Sequence, residues 1–164
     1  MIIAMRQMTY ESLRDGLDRQ SRIIVLSCNN CARVYGLGGR VGLRSLADKL
    51  EADGFHVIRR ELVGFGCALD LVAKRGKDPA TKEWFDQADV ILPLACEHGQ
   101  EAIQMAFPDK RVPALSKTVG IGWWRPDTVR VTHCVSGVDL QIDDPQGLPL
   151  EDVGRKLGLE VGPF

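Results

Sequence analysis

The sequence contains no long hydrophobic segment and no excess of charge of either sign. None of its apolar runs reaches the roughly 18 residues of a transmembrane helix. Its 22 acidic and 21 basic side chains leave a formal net charge of −1, which gives no electrostatic reason to expect nucleic acid or a membrane as partner. The apolar start, residues 1–5, is too short for a signal peptide. These features predict a cytoplasmic protein.

A disulfide framework and the common catalytic motifs are not expected either. The 164 residues include five cysteines, an odd number in a chain long enough to bury a core without covalent crosslinks. In a reducing compartment, such cysteines indicate metal binding or thiol chemistry. The sequence has no Ser/His/Asp arrangement, no paired-carboxylate motif and no Walker-type phosphate loop, which suits a non-catalytic subunit. Without repeats or low-complexity segments, residues 1–164 are predicted to form one domain.

Apolar runs alternate with segments of helical periodicity along most of the chain. Strands are predicted at 22–27, 55–62, 89–95, 111–115 and 129–135, and helices at 8–20, 41–50, 68–75, 78–85, 100–107 and 153–159. This alternation is typical of an α/β protein with a mainly parallel sheet, arranged as a three-layer Rossmann- or flavodoxin-like domain. The Pro- and Gly-rich segment 120–147 is predicted to be an irregular extension within it.

Four of the five cysteines follow predicted strands. Cys28 and Cys31 follow the first strand, Cys67 the second and Cys96 the third. Because the carboxyl ends of parallel strands share one edge of the sheet, we expect the four thiols to lie close together. Four thiolates suit either Zn²⁺ or an iron–sulfur cluster of the 4Fe-4S type. Cys134 falls late in its predicted strand, and the pattern does not place it.

Glycines accompany these cysteines at Gly36, Gly38, Gly39 and Gly66. They allow a close approach of the backbone, whose N–H groups could bond to sulfide or thiolate. The run that starts at Gly36 also resembles the dinucleotide-binding fingerprint, with Glu61 about 20 residues further on. In that fingerprint, however, the glycines follow the strand directly. Here the cysteine-bearing residues intervene, so the glycines are assigned to the cysteine loop.

Other interpretations of the same residues remain open. Cys67, Cys96 and Cys134 could be small buried hydrophobic residues, as free cysteines often are. The Cys28-x-x-Cys31 spacing also suits a redox-active dithiol, and so a thiol oxidoreductase. A zinc-stabilised binding module without a redox role is a further alternative. His98 is either an additional ligand or a histidine of a surface loop.

The order of these motifs resembles the methylenetetrahydrofolate reductase C-terminal-like family, over about residues 22–122. The matching pieces are Cys28-Asn29-Asn30-Cys31-Ala32, Gly36 to Gly39, Gly66-Cys67, Ala88-Asp89-Val90-Ile91 through Ala95-Cys96, and Pro113-Ala114-Leu115 with Thr118. The family includes the small accessory subunit that pairs with the flavin-bearing catalytic subunit of methylenetetrahydrofolate reductase in anaerobic bacteria. The resemblance implies an iron–sulfur cluster or zinc on Cys28, Cys31, Cys67 and Cys96. It also implies an accessory role that relays electrons to such a catalytic subunit or supports it structurally.

The chain departs from the family pattern at three places. Tyr35 stands where a third early cysteine is common, and Glu97 replaces the glycine that usually follows the third-strand cysteine. The further cysteine-rich stretch of longer members is reduced to Cys134. These departures leave four ligands for one site and none for a second.

Trp123 and Trp124 form an adjacent aromatic pair in a predicted loop. Such a pair either covers one end of the core or anchors an interface, because tryptophan is enriched in binding hot spots.

Overall fold

The structure, a computed structural model, describes all residues from Met1 to Phe164. The strands are β1 (Ile2–Arg6), β2 (Arg22–Cys28), β3 (His56–Val63), β4 (Val90–Leu94), β5 (Ser116–Arg125), β6 (Thr128–Cys134) and β7 (Leu148–Pro149). The helices are α1 (Tyr10–Asp15), α2 (Cys31–Val34), α3 (Gly39–Ala52), α4 (Leu69–Arg75), α5 (Lys82–Gln87), α6 (Glu97–Ala106) and α7 (Leu150–Leu157). No helix combines the length and the apolar character needed to cross a membrane.

One sheet is parallel and has the strand order β3-β2-β4. The side chains of its central strand alternate between two hydrophobic cores: Ile23 and Val25 face one, Ile24 and Leu26 the other. A parallel strand covered on both faces is expected to be apolar throughout, as β2 is. Helix α3 contributes to the first core, and α4, α5 and α6 contribute to the second.

The second sheet is antiparallel, with the strand order β1-β5-β6-β7. Strands β5 and β6 form a hairpin with Pro126 and Asp127 between them. Strand β1 adds Ile3, Ala4 and Met5 to the core that α3 also covers. The amino-terminal strand and the later part of the chain therefore close one face of the parallel sheet together.

The predicted α/β class is confirmed. The prediction of one mainly parallel sheet holds only for β2, β3 and β4, because the other four strands form a separate antiparallel sheet. Residues 111–115, predicted as a strand, make only one bridge, from Arg111 to Val90. The helix predicted to open at Pro79 begins at Lys82, after a turn closed by the Thr81 N–H and the Asp78 carbonyl. These differences concern short segments, whose local pattern is weak compared with their tertiary surroundings.

Within the segment predicted as irregular, the strand predicted at 129–135 is confirmed as β6. Residues 120–125, with both tryptophans predicted in a loop, belong to β5 of the same hairpin. The glycines that suggested irregular structure have a packing reason in β5. A Cβ atom at Gly120 would collide with the His133 carbonyl, and one at Gly122 with the Arg130 carbonyl. Glycine within a strand often marks such a close backbone approach. Residues 135–147 contain no helix or strand.

Candidate metal centre

The connections that leave the parallel sheet diverge at its carboxyl edge. The chain after β2 passes to α3 on one face, whereas the chains after β3 and β4 lead to α4 and α6 on the other. Ligand sites of open α/β sheets lie in the crevice that such a divergence creates. Here a cavity of about 520 Å³ lies at this edge, and we call it the cysteine cavity.

Four cysteines from three strand ends line this cavity: Cys28, Cys31, Cys67 and Cys96. Cys28 ends β2, Cys31 begins α2, Cys67 lies between β3 and α4, and Cys96 immediately precedes α6. Cys28 is buried, Cys31 and Cys96 are half-buried and Cys67 is exposed, all as free thiols. The exposure of Cys67 does not fit its interpretation as a small buried hydrophobic residue.

Cys134 lies apart from these four residues. It ends β6 in the antiparallel sheet, and its thiol donates to the Leu140 carbonyl at 3.8 Å. It is not among the residues that line the cysteine cavity.

Of the four glycines singled out in the sequence, Gly66 contacts a cysteine sulfur. Its N–H donates to Sγ of Cys28 at 3.3 Å. A Cβ atom at this position would lie 3.2 Å from Cys28 Cβ and 3.6 Å from Cys28 Sγ, so only glycine allows this approach without a shift. Gly36, Gly38 and Gly39 do not line the cavity.

These three glycines shape the turn instead. A Cβ atom at Gly38 would lie 2.9 Å from the Cys28 carbonyl oxygen and 3.0 Å from that of Leu94. Gly36 and Gly39 adopt positive φ angles of 84° and 68°, which glycine reaches without strain. Their role is to bring the turn against the ends of β2 and β4.

The thiols influence one another electrostatically. Burial raises the pKa of the Cys96 thiol; the Gly99 N–H partly opposes this, and thiolate charge at Cys67, Cys28 and Cys31 raises the pKa further. Like charges gathered in one cavity resist ionising together unless a cation balances them. The thiols are therefore a set whose full ionisation a metal would stabilise.

Zinc and an iron–sulfur cluster both accept four cysteine thiolates as ligands. No three or more His, Cys, Asp or Glu side chains are grouped so that they could hold a metal ion. The four thiols line one cavity without forming such a group. A zinc ion requires sulfur at about 2.3 Å, whereas an iron–sulfur cluster fills the space between its thiolates with iron and sulfide. Both groups take thiolate ligands, and the Gly66 N–H on Cys28 Sγ would stabilise negative charge on that sulfur in either.

The mouth of the cysteine cavity is apolar and open. Phe65 is 51% exposed and Met105 67% exposed, and both line the cavity together with the exposed Leu69. His98 is also exposed and lines it. Exposed apolar side chains gathered at one opening are typical of a binding surface.

Tyr35 also lines the cavity, although the sequence marked it only as a departure from a family pattern. It is 4% exposed, and its hydroxyl has no hydrogen-bond partner. Burial raises the pKa of Tyr35 well above its usual value, and thiolate charge at Cys96, Cys28 and Cys31 raises it further, while the Ala4 N–H has a smaller opposite effect. Its spacing of four residues from Cys31 was the available signal, because residues so spaced lie on one face of a helix.

Glu61, the residue that a dinucleotide site would need for ribose binding, has other partners. It is 5% exposed, and its carboxylate pairs with Arg59 at 3.2 Å and Arg75 at 3.4 Å. A carboxylate held by two guanidinium groups is not free to bind a ribose hydroxyl, which weighs further against a nucleotide site.

The tryptophan pair lies away from the cysteines, near the tip of the β5–β6 hairpin. Trp124 is 51% exposed, and the Arg125 guanidinium lies 5.3 Å from the centre of the Trp123 ring. Trp124 and Arg125 line a different cavity of about 420 Å³. Neither tryptophan belongs to the cysteine cavity.

Fold and site together define an α/β protein with four thiols around one cavity, at the carboxyl edge of a three-stranded parallel sheet. No protein-family model, curated protein or solved structure matches the chain.

Proposed function

We propose that this chain is a cytoplasmic accessory subunit that binds a 4Fe-4S cluster through Cys28, Cys31, Cys67 and Cys96. In this role it relays electrons to, or structurally supports, a flavin-dependent methylenetetrahydrofolate reductase-type catalytic subunit. The observation that carries the proposal is the position of the four thiols around one cavity. We further infer that β2, β3 and β4 with their helices form a Rossmann- or flavodoxin-like unit, because the strand order β3-β2-β4 places its site as such folds do.

Four cysteine thiols around one cavity support a metal–thiolate group, and we propose a cluster rather than zinc because a cluster suits the electron-relay role. A cluster supplies one-electron transfer when bound. The chain's own part is to bring the four thiols to one cavity and to direct the Gly66 N–H at Cys28 Sγ. A backbone N–H on a thiolate stabilises negative charge on sulfur.

The partner is proposed from two features. The motifs around the cysteines resemble those of the accessory subunit family, and apolar side chains are exposed at the opening of the cavity. Phe65 and Met105 would allow a protein surface to approach the cysteines across a dry contact. The flavin and folate chemistry belongs to that partner.

The first test is metal analysis of protein purified without oxygen. We expect a brown sample with broad visible absorption and about four irons and four sulfides per chain. One zinc without visible absorption would replace the proposal with a zinc-stabilised binding module. A metal-free protein with a reversible Cys28–Cys31 disulfide would replace it with a thiol oxidoreductase.

The second test addresses the partner. The loaded chain is first reduced with dithionite, and excess dithionite is removed. It is then mixed with a purified flavin-dependent methylenetetrahydrofolate reductase catalytic subunit; complex formation is followed by gel filtration, and transfer of electrons from the reduced chain to the flavin is followed by absorbance. We expect a complex that Phe65→Ser with Met105→Ser weakens and that Trp124→Ser leaves intact. No complex with the unaltered chain would contradict the assignment of this partner, whatever the metal content.

A further inference from the structure

Tyr35 carries an unusual combination of burial and missing hydrogen bonds. The structure contains two fully buried side-chain polar atoms without a partner, the Tyr35 hydroxyl and Nε of Arg6. The Arg6 side chain still pairs with Glu160 at 3.5 Å and stacks on Phe164. The Tyr35 hydroxyl makes no hydrogen bond and has only the weak influence of the Ala4 N–H, and a buried hydroxyl without a partner destabilises a fold.

The Tyr35 hydroxyl lacks an acceptor for its own proton. The Ala4 amide near it is itself a donor, so the hydroxyl proton in particular has no acceptor. A tyrosine ordinarily keeps its proton at neutral pH, because its pKa is about 10. At neutral pH the Tyr35 hydroxyl is therefore a buried hydrogen-bond donor without an acceptor.

The cysteine cavity is where an acceptor would be. Tyr35 lines it together with the four thiols, and the thiols whose charge acts on the hydroxyl are Cys96, Cys28 and Cys31. A neutral thiol is a poor acceptor, whereas a thiolate or sulfide carries the charge that makes a strong one. Loading of the cavity with a metal–sulfur group would create such acceptors.

We propose that the Tyr35 hydroxyl donates a hydrogen bond to a sulfur of the metal group held by the four thiols and raises its reduction potential. This inference rests on the proposed function, because the acceptor exists only when the site is loaded. Hydrogen bonds to the sulfurs are one of the determinants of cluster potential. They favour the reduced form, because that form carries more negative charge for the donor to stabilise.

The test uses Tyr35→Phe, which removes the hydroxyl and keeps the ring. In the loaded protein we expect a more negative reduction potential in a mediated titration followed by electron paramagnetic resonance. A roughly tenfold shift of the one-electron equilibrium corresponds to 59 mV. In the metal-free protein we expect the variant to be as stable as the unaltered chain or more stable, because the hydroxyl has no partner there. The gain in stability on metal loading should therefore be smaller in the variant, with iron–sulfur or with zinc.

Tyr10→Phe is the matched control, because the chain has only two tyrosines. The Tyr10 hydroxyl donates to Asp53 Oδ2 at 2.9 Å, outside the cysteine cavity. The Tyr10→Phe variant should lose the same free energy of unfolding with and without metal, and the reduction potential of its metal group should be unchanged.

The outcomes separate this inference from the proposed function. A loaded Tyr35→Phe protein with unchanged potential and unchanged stability gain on loading would overturn the role of Tyr35 and leave the metal site standing. A metal-free Tyr35→Phe protein clearly less stable than the unaltered chain would also overturn it, because the hydroxyl would then have a structural partner. An unaltered chain that binds neither iron–sulfur nor zinc would overturn both.

Discussion

The two sheets differ in where their strands end and so in which loops they bring together. In the parallel sheet all three strands end at the same edge, and each releases a loop that carries cysteine. In the antiparallel sheet neighbouring strands end at opposite edges. Its one cysteine, Cys134, lies outside the cysteine cavity, and its thiol donates to the nearby Leu140 carbonyl. Parallel strands thus gather side chains from distant parts of the chain, which antiparallel strands do less readily.

The sheets also differ in where glycine is required. In the antiparallel sheet Gly120 and Gly122 lie within a strand, against the backbone of β6. In the parallel half the comparable close approach occurs in a loop, where Gly66 meets Cys28. The first arrangement holds two strands together, and the second holds a sulfur atom in place.

The largest effect is expected from exchanging single cysteines. Cys67→Ser and Cys96→Ser should each remove most of the bound metal, because each takes away one of four ligands. Cys134→Ser should retain it, because that residue lies outside the cavity. Iron, sulfide and zinc content of the anaerobically purified variants measures this. Full metal retention in the Cys96 variant would remove the distinction between the two sheets.

A smaller effect is expected from adding a methyl group to glycine. Gly122→Ala should lower the free energy of unfolding by at least about 2 kcal/mol, because the Cβ atom would collide with the Arg130 carbonyl in the paired strand. Gly64→Ala is the matched control from the parallel half, because an added Cβ meets nothing within 4 Å there; its change should stay within about 0.5 kcal/mol. Urea unfolding measures both. Equal losses would show that the strand glycine has no special role.

The smallest effect concerns the edge of the parallel sheet opposite the cysteines. Arg22, which opens β2, donates to Asp89 through its backbone N–H at 2.8 Å, Nε at 3.0 Å and Nη2 at 2.8 Å. The side-chain and backbone hydrogen bonds from Arg22 hold the pKa of Asp89 well below its usual range. A lowered native pKa adds stability above the unfolded value of about 3.9 and loses it as the pH falls towards the native value.

Asp89→Asn should therefore be less stable than the unaltered chain at neutral pH, with a difference that shrinks below about pH 4. The effect is modest because both side chains are partly exposed. Thermal unfolding across this pH range measures it. A difference that stays constant down to about pH 2 would contradict the assignment to Asp89 ionisation.

The parallel half could be predicted from the sequence nearly element by element. Residues 22–27 and 89–95 are apolar runs, as strands buried on both faces must be, and α3 shows clear helical periodicity. The rule that parallel strands share a ligand-binding edge then predicts which loops meet. This reasoning uses only local patterns and one topological principle.

The antiparallel half could not be predicted in the same way. Strand β1 is a short apolar start whose partner, β5, lies more than a hundred residues later. The hairpin turn is Pro126-Asp127, without the Asn-Gly or Asp-Gly signal of two-residue hairpins. Pairing over such distances depends on tertiary packing, which sequence periodicity does not report.

The side-chain packing inside the site also could not be predicted from the sequence pattern. The cysteines could be assigned to one edge, but the different exposures of their thiols, the unpaired hydroxyl of Tyr35 and the exposed Phe65 depend on side-chain packing. The four glycines illustrate the limit. All looked alike in the sequence, yet Gly66 meets a sulfur and the other three shape a turn.

The order β3-β2-β4 has a consequence for how the protein matures. In the folded chain, the pairing of β4 with β2, from Ile23 opposite Val90 to Ser27 opposite Leu94, brings Cys28 and Cys96 to the same edge. Parallel pairing between segments so far apart in the chain is a slow step of folding. A chain synthesised only as far as α4 contains three of the thiols but not Cys96. A site that needs all four thiols therefore cannot be completed before β4 and the residues that follow it have been synthesised.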